Sequence, residues 1–303
     1  MALSKTGPER SSRGPIGLIG LGLIGNALTH RFLAQGFEVI GLDVDPSAVE
    51  AFAALGGNAA REISELAGRC PRIVLSLPNS EIVERVLAQL DTHLTPGHLI
   101  VDTTTGSPES AQANSHRLAK RGAIFVEAMI SGNSSQVRQG EVLVMASGTT
   151  DAIAQCRDLF ACFASQVHHV GETGNASKMK LVTNLVLGLN RAALAEGLVF
   201  ADKLGLDLTQ SLTILRDSTA YSRVMDTKGD KMINGNFEPQ ARLSQHLKDV
   251  RLMIEAATNA GQRLPLSETH QRLLEESEQL GLGQLDNSAI FRAIEAQRVS
   301  SES

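Results

Sequence analysis

The segment GLIGLGLIGNAL sets Gly20, Gly22 and Gly25 in a GxGxxG spacing, between the apolar run 16–19 and a stretch of helical periodicity reaching about Gln35. Each glycine answers a different steric demand. Gly20 permits a tight turn, Gly22 lets backbone amides approach a pyrophosphate, and Gly25 lets helix and strand pack closely. The N-terminus of the helix then turns unpaired N–H groups and a positive dipole end toward an anion. Eighteen residues past Gly25, at the end of the next apolar run, stands Asp43, where a carboxylate can accept hydrogen bonds from ribose hydroxyls. Strand, turn, helix and acid together predict a dinucleotide site formed by Gly20, Leu21, Gly22, Leu23, Ile24, Gly25 and Asp43. A 2′-phosphate beside Asp43 would meet like charge, and the next residues, Val44, Asp45 and Pro46, offer no arginine, so NAD is predicted over NADP.

The pattern around this motif extends it into a domain. Short apolar runs at 16–19, 38–42, 72–75, 98–101, 124–126 and 142–146 are separated by 10 to 20 residues of helical character, the signature of βαβ units and a largely parallel sheet. After Gly174 the strand signals stop. Residues 177–204 read as one long helix, and helical periodicity returns at 208–216, 223–233, 241–260, 265–279 and 288–297. Pro265 suits a first helical turn, and Gly205, Gly261 and Gly281 suit helix ends. The expected fold is α/β: a flexible tail over 1–15, a Rossmann dinucleotide-binding domain over 16–174, and an all-helical domain over 175–303 joined to it by the long helix.

Composition narrows the function. The 303 residues carry 33 acidic and 28 basic side chains, a formal charge of −5, with nine Phe, one Tyr and no Trp. That leaves no basic excess for phosphates and few stacking platforms, so no nucleic-acid partner is expected. No uninterrupted apolar run approaches the roughly 18 residues of a spanning helix, and the opening 15 residues are polar; no membrane partner and a cytoplasmic location are expected. Cys70, Cys156 and Cys162 lack CxxC spacing and read as reduced core thiols. His168 and His169 are adjacent, a pair that in a strand would point to opposite faces, and no third ligand stands at metal spacing, so no metal site is predicted; no GxSxG elbow is present. A long helix apolar on most faces predicts a homodimer or homotetramer.

In VGETGNASKMKLVTN, Lys180 and Asn184 stand four residues apart on one helical face. Together with IGLGLIGNAL, VEAMISGNSSQVRQGE and HLKDVRL, in that order and spacing, this segment resembles the β-hydroxyacid dehydrogenase family of 3-hydroxyisobutyrate, tartronate-semialdehyde and glyoxylate/succinic-semialdehyde reductases, over residues 16–295. The resemblance implies Lys180 as the catalytic residue, Ser131, Gly132 and Asn184 as substrate binders, and Leu77, Pro78, Thr105 and Lys248 as further cofactor contacts. It implies hydride transfer between NAD(H) and a small anionic hydroxy acid or its semialdehyde. The chemistry agrees: an ammonium can supply charge and proton to a developing alkoxide, and burial that lowers its pKa toward about 7 to 8 suits it to neutral pH. Small residues at Ser131 and Gly132 let amides grip a carboxylate.

The pattern also departs from that family. Ala128, Met129 and Ile130 replace the usual Pro-Val stretch, Asn133 follows SG where its amide adds a polar contact, and Ala241–Arg242 stands where a pocket Phe is typical. A lost ring and a nearby guanidinium predict a substrate larger or more charged than 3-hydroxyisobutyrate. Two other readings accompany the dehydrogenase: an imine reductase-like enzyme, which retention of Lys180 disfavours, and a non-catalytic dinucleotide-sensing protein.

Overall fold

The structure is a computed structural model that describes residues 14–297, so all but the last two residues of the predicted tail lie outside it. The chain divides into two compact units between Ser177 and Lys178.

The first unit runs β1 (Ile16–Ile19), α1 (Leu23–Ala34), β2 (Val39–Leu42), α2 (Pro46–Ala54), β3 (Asn58–Ala59), α3 (Ile63–Arg69), β4 (Arg72–Leu75), α4 (Ser80–Leu90), β5 (Leu99–Asp102), α5 (Pro108–Ala119), β6 (Ile124–Ser131), α6 (Ser134–Gln139), β7 (Val142–Ser147), α7 (Thr150–Gln155), α8 (Arg157–Phe163) and β8 (Ala164–His169). They form one sheet in the order β3-β2-β1-β4-β5-β6-β7-β8, parallel throughout except for the β6–β7 pair. β1 lies between β2 and β4, which places the glycine turn at the carboxyl end of the strand where the order reverses, the position where such sheets bind ligands.

Strand sequences are nearly all apolar because helices cover both faces. Successive residues still alternate between two cores. Leu18, Val74, Leu99 and Val101 pack with Phe32 and Phe160, while Ile73, Leu75 and Ile100 pack with Leu66 and Leu87.

Three features differ from the expectation. β8 was not predicted because ASQVHH is polar and lies exposed at the sheet edge. β3 spans two residues, too short for any periodicity. β6 continues five residues past the predicted end at Val126, through EAMIS, because it pairs antiparallel with β7. Much of the expected substrate loop is therefore strand.

The second unit is helical: α9 (Asn175–Lys203), whose first turn contains the division, α10 (Leu208–Asp217), a π-helical turn at Met225–Gly229 leading into α11 (Asp230–Ile233), α12 (Leu243–Asn259), α13 (Pro265–Gln279), and a 3-10 turn at Asn287–Ala289 leading into α14 (Ile290–Ala296). The helix expected at 223–233 is thus half π-helical, with Gly229 packed so closely on Leu212 that a Cβ would clash. Leu194, Leu198, Leu212, Leu243, Leu274 and Ile290 form its core. An ion pair sits within it: Lys228 Nζ donates to Asp286 Oδ1 at 2.8 Å and Oδ2 at 2.9 Å, with both side chains buried. Asp286 also accepts from the amides of Gln240, Ala241 and Ser288 and from the Ser288 hydroxyl. By length and composition α9 could cross a bilayer, yet its Asn184 and Arg191 are buried.

Candidate functional site

The glycine turn has the properties a dinucleotide cradle requires. Gly20 has φ +95°, and a side chain there would run into the Ser76 carbonyl. A Cβ at Gly25 would strike the carbonyl oxygen of Gly20. At Gly22, by contrast, a Cβ would meet nothing within 4 Å: the N-terminus of α1 opens onto free space. Gly22 caps α1 without a side chain, and no acid stands in its first turn, so N–H groups and the dipole face an anion unopposed. These residues fit the pyrophosphate of a dinucleotide.

Asp43 has a further part in the turn. Its Oδ2 accepts the amide of Leu21 at 2.6 Å and its Oδ1 the amide of Asp45 at 2.9 Å, so the carboxylate holds the loop in shape. Carboxylate oxygens have lone pairs to spare for hydroxyls besides. Leu21 is buried, and Leu23 and Ile24 open α1. The loops after β4 and β5 are laced together: Leu77 N donates to Thr104 Oγ1 at 3.0 Å, Thr104 N to Asp102 Oδ1 at 2.9 Å, and Thr103 Oγ1 to the Leu75 carbonyl at 2.7 Å. Leu77 and Thr105 lie half-buried in these loops, and Pro78 is exposed.

Ser131 ends β6 opposite Leu143. Gly132 follows at φ +155°, where a Cβ would come within 2.5 Å of Val142 Cγ1. Asn133 is the N-cap of α6 in a reciprocal capping box: its Oδ1 accepts Gln136 N and its own amide donates to Gln136 Oε1, each at 3.0 Å. Its carbonyl oxygen is thereby committed to a helix end.

Glu127, four residues before Ser131, is fully buried and was not singled out from sequence. It accepts the Ser147 hydroxyl, the Gly174 amide, and both the amide and hydroxyl of Ser177. A carboxylate from β6 thus satisfies the free N–H groups at the start of α9, a role a buried acid in a strand could have signalled. Opposite it on β5, burial pushes the Asp102 carboxyl up to about 7, against the lowering effect of its bonds to Thr104.

In the helical unit Lys180 is 8 % exposed, and desolvation brings its ammonium down to about 8; Asp249 opposes the fall and Lys248 adds to it. One turn on, Asn184 Nδ2 donates to Asp249 Oδ2 at 3.0 Å, and Lys248 Nζ lies 3.0 Å from Asp249 Oδ1. Asp249 therefore orients Asn184 and ties it to α12. Arg242, expected near the pocket, is the exposed N-cap of α12.

A Rossmann-type sheet with an open glycine turn and a helical unit with a buried, pKa-lowered lysine define a dinucleotide-dependent oxidoreductase. Residues 15–171 match the NAD binding domain of 6-phosphogluconate dehydrogenase, and residues 174–294 the NAD-binding domain of NADP-dependent 3-hydroxyisobutyrate dehydrogenase. The chain belongs to the β-hydroxyacid dehydrogenase family. It is similar to 2-(hydroxymethyl)glutarate dehydrogenase of Eubacterium barkeri, 31% identical over 92% of this chain and 94% of that protein. L-threonate dehydrogenase of Cupriavidus necator is 28% identical over 91% and 95%. A crystal structure of 3-hydroxyisobutyrate dehydrogenase from Salmonella typhimurium superposes with TM-score 0.85 at 26% identity, covering 92% of this chain and 99% of that one.

Proposed function

We propose that the protein is an NAD-dependent dehydrogenase that interconverts a small β-hydroxy acid and its semialdehyde. The observation that carries this reading is Lys180: an ammonium brought by burial to about 8, one turn from an amide fixed by a carboxylate. When bound, the nicotinamide supplies or accepts the hydride. Lys180 gives its proton to the carbonyl oxygen as that oxygen becomes an alkoxide, and takes it back in the oxidative direction. Asn184 donates to the reacting hydroxyl or carboxylate without adding charge. Ser131 and the amides around Gly132 hold the substrate carboxylate, and Lys248 with Leu77, Pro78 and Thr105 supports the cofactor. The names of two relatives, 2-(hydroxymethyl)glutarate dehydrogenase and L-threonate dehydrogenase, support a hydroxy-acid substrate. The test is NADH oxidation across a panel of C3 to C5 semialdehyde acids; no turnover with any of them would remove the reading.

NAD is favoured over NADP by Asp43. In Asp43→Asn the amide oxygen still accepts Leu21 N, but the charge is gone. The ratio of kcat/KM for NADPH over NADH is expected to rise about tenfold or more. A wild type already preferring NADPH would reverse this assignment.

We also propose a homo-oligomer located in the cytoplasm. One face of α9 exposes Val182, Val186 and Phe200, an apolar stripe that Leu204 extends just past the end of the helix. A second copy of the chain covers it in this reading. Val186→Glu with Phe200→Glu is expected to leave monomers at micromolar concentration by light scattering, whereas an unchanged oligomer would place the interface elsewhere.

A further inference from the structure

Lys180, Asn184, Gly188 and Arg191 follow one another along a single face of α9 at spacings of four, four and three. Arg191 is 2 % exposed, and its Nε and Nη2 meet no hydrogen-bond partner among the described residues. His246 of α12 and His270 of α13 are buried beside this face with ring centroids 5.2 Å apart, and Nε2 of each is likewise without a partner. They can lie there because position 188 has no side chain: a Cβ would come within 2.6 Å of His246 Nε2 and 2.8 Å of His270 Cε1. Long helical side chains lean toward the N-terminus, and the Arg191 charge acts on both imidazoles.

An unpaired guanidinium is among the least favourable groups to bury. Two carboxylates act on it, and neither hydrogen-bonds it. Asp286 holds Lys228, three amides and a hydroxyl; Asp249 holds Asn184 and Lys248. Four idle nitrogens, from one guanidinium and two imidazoles, remain around one spot, on a face continuous with Lys180. Burial, reinforced by the Arg191 charge, also keeps both imidazoles neutral, with His270 down to about 4.

We propose that Arg191, His246 and His270 form a second acid-binding subsite of the helical unit, which takes a carboxylate. The guanidinium fork donates to the oxygens and an imidazole N–H completes the set. The carboxylate is either the remote acid group of a dicarboxylic substrate, which rests on the Lys180 reading above, or a free carboxylate ion.

Two measurements on wild type and Arg191→Met decide it. In thermal melting at fixed ionic strength, acetate and glutarate raise the Tm of wild type and leave that of Arg191→Met unmoved; without carboxylate the variant melts at or above wild type, because an unpaired buried charge is gone. In oxidation assays with NAD, a substrate-borne carboxylate makes the ratio of kcat/KM for 2-(hydroxymethyl)glutarate over 3-hydroxyisobutyrate fall roughly 10- to 100-fold in the variant. A free ion leaves the ratio constant while the Tm response persists. If Arg191→Met does not fold, Arg191→Lys, which keeps the cation but loses the fork, is expected to show a weakened response in the same assays. A wild type indifferent to both carboxylates in melting and in substrate ratio, with a variant that melts well below it, would overturn the subsite. Melting requires no turnover, so its outcome stands apart from failure of the dehydrogenase reading.

Discussion

Lys180→Ala is expected to lower kcat for carbonyl reduction by about 10²- to 10⁴-fold, the range for losing a positioned general acid, while nucleotide affinity stays within a few-fold of wild type. The pH dependence carries the same information with a sign. Reduction needs the ammonium, and burial has brought Lys180 down to about 8. Its rate should therefore be level below that value and fall about tenfold per pH unit above it. Oxidation needs the neutral amine and should rise through the same pH to a plateau. Lys180→Ala should lose both limbs. Lys180→Arg keeps a positive charge that cannot be given up in this range, so it should be as slow as the alanine variant. A wild-type kcat in Lys180→Ala would show that the proton comes from elsewhere.

The second large effect concerns stability. Asp286→Ala is expected to cost about 3–5 kcal/mol, because it strands the buried Lys228 ammonium and frees three amides at once. Burial would raise the Asp286 carboxyl, but Lys228 and its other donors hold it below the ordinary value of 3.8. A depressed carboxyl stabilises the fold fully above its unfolded pKa, and the contribution is lost as pH falls through the folded value, so wild type should keep it down to about pH 4 and lose it below. Urea titration of wild type and variant at pH 7 and pH 3 checks both statements: the gap in midpoint should narrow in acid. Replacing both partners, Asp286→Leu with Lys228→Met, should recover part of the loss, since a neutral pair leaves no charge buried alone. A single variant as stable as wild type at pH 7 would remove the pair from the account.

Some of this was legible in the residues and some was not, for reasons that differ by position. The glycines announced themselves because each excludes a side chain by steric conflict or leaves space for a ligand, and that demand shows in sequence as spacing. The second half read correctly as helices because its apolar period is 3.6. β8 escaped because an exposed edge strand needs no apolar residues, and the far end of β6 escaped because its pairing is with a strand later in the chain. Arg191 was not singled out because an arginine in a helical run is ordinarily solvated; only its phase relative to Lys180 and Gly188 could have marked it, and its burial shows in the structure. Arg242 illustrates the converse, a guanidinium near the right segment that the fold turns outward. Asp43 was read for a ribose and turns out also to brace the loop below it.

The strand β6 does two things within five residues. Glu127 fastens the opening amides of α9, and Ser131 stands at the rim where substrate is expected to be gripped. One continuous strand therefore joins the Ser131 end of β6 to the first turn of α9 within the same unit. A substitution that shifts the strand at Ser131 is expected to disturb the bonds that Glu127 accepts from Gly174 and Ser177, so the two ends of β6 will resist being evolved apart.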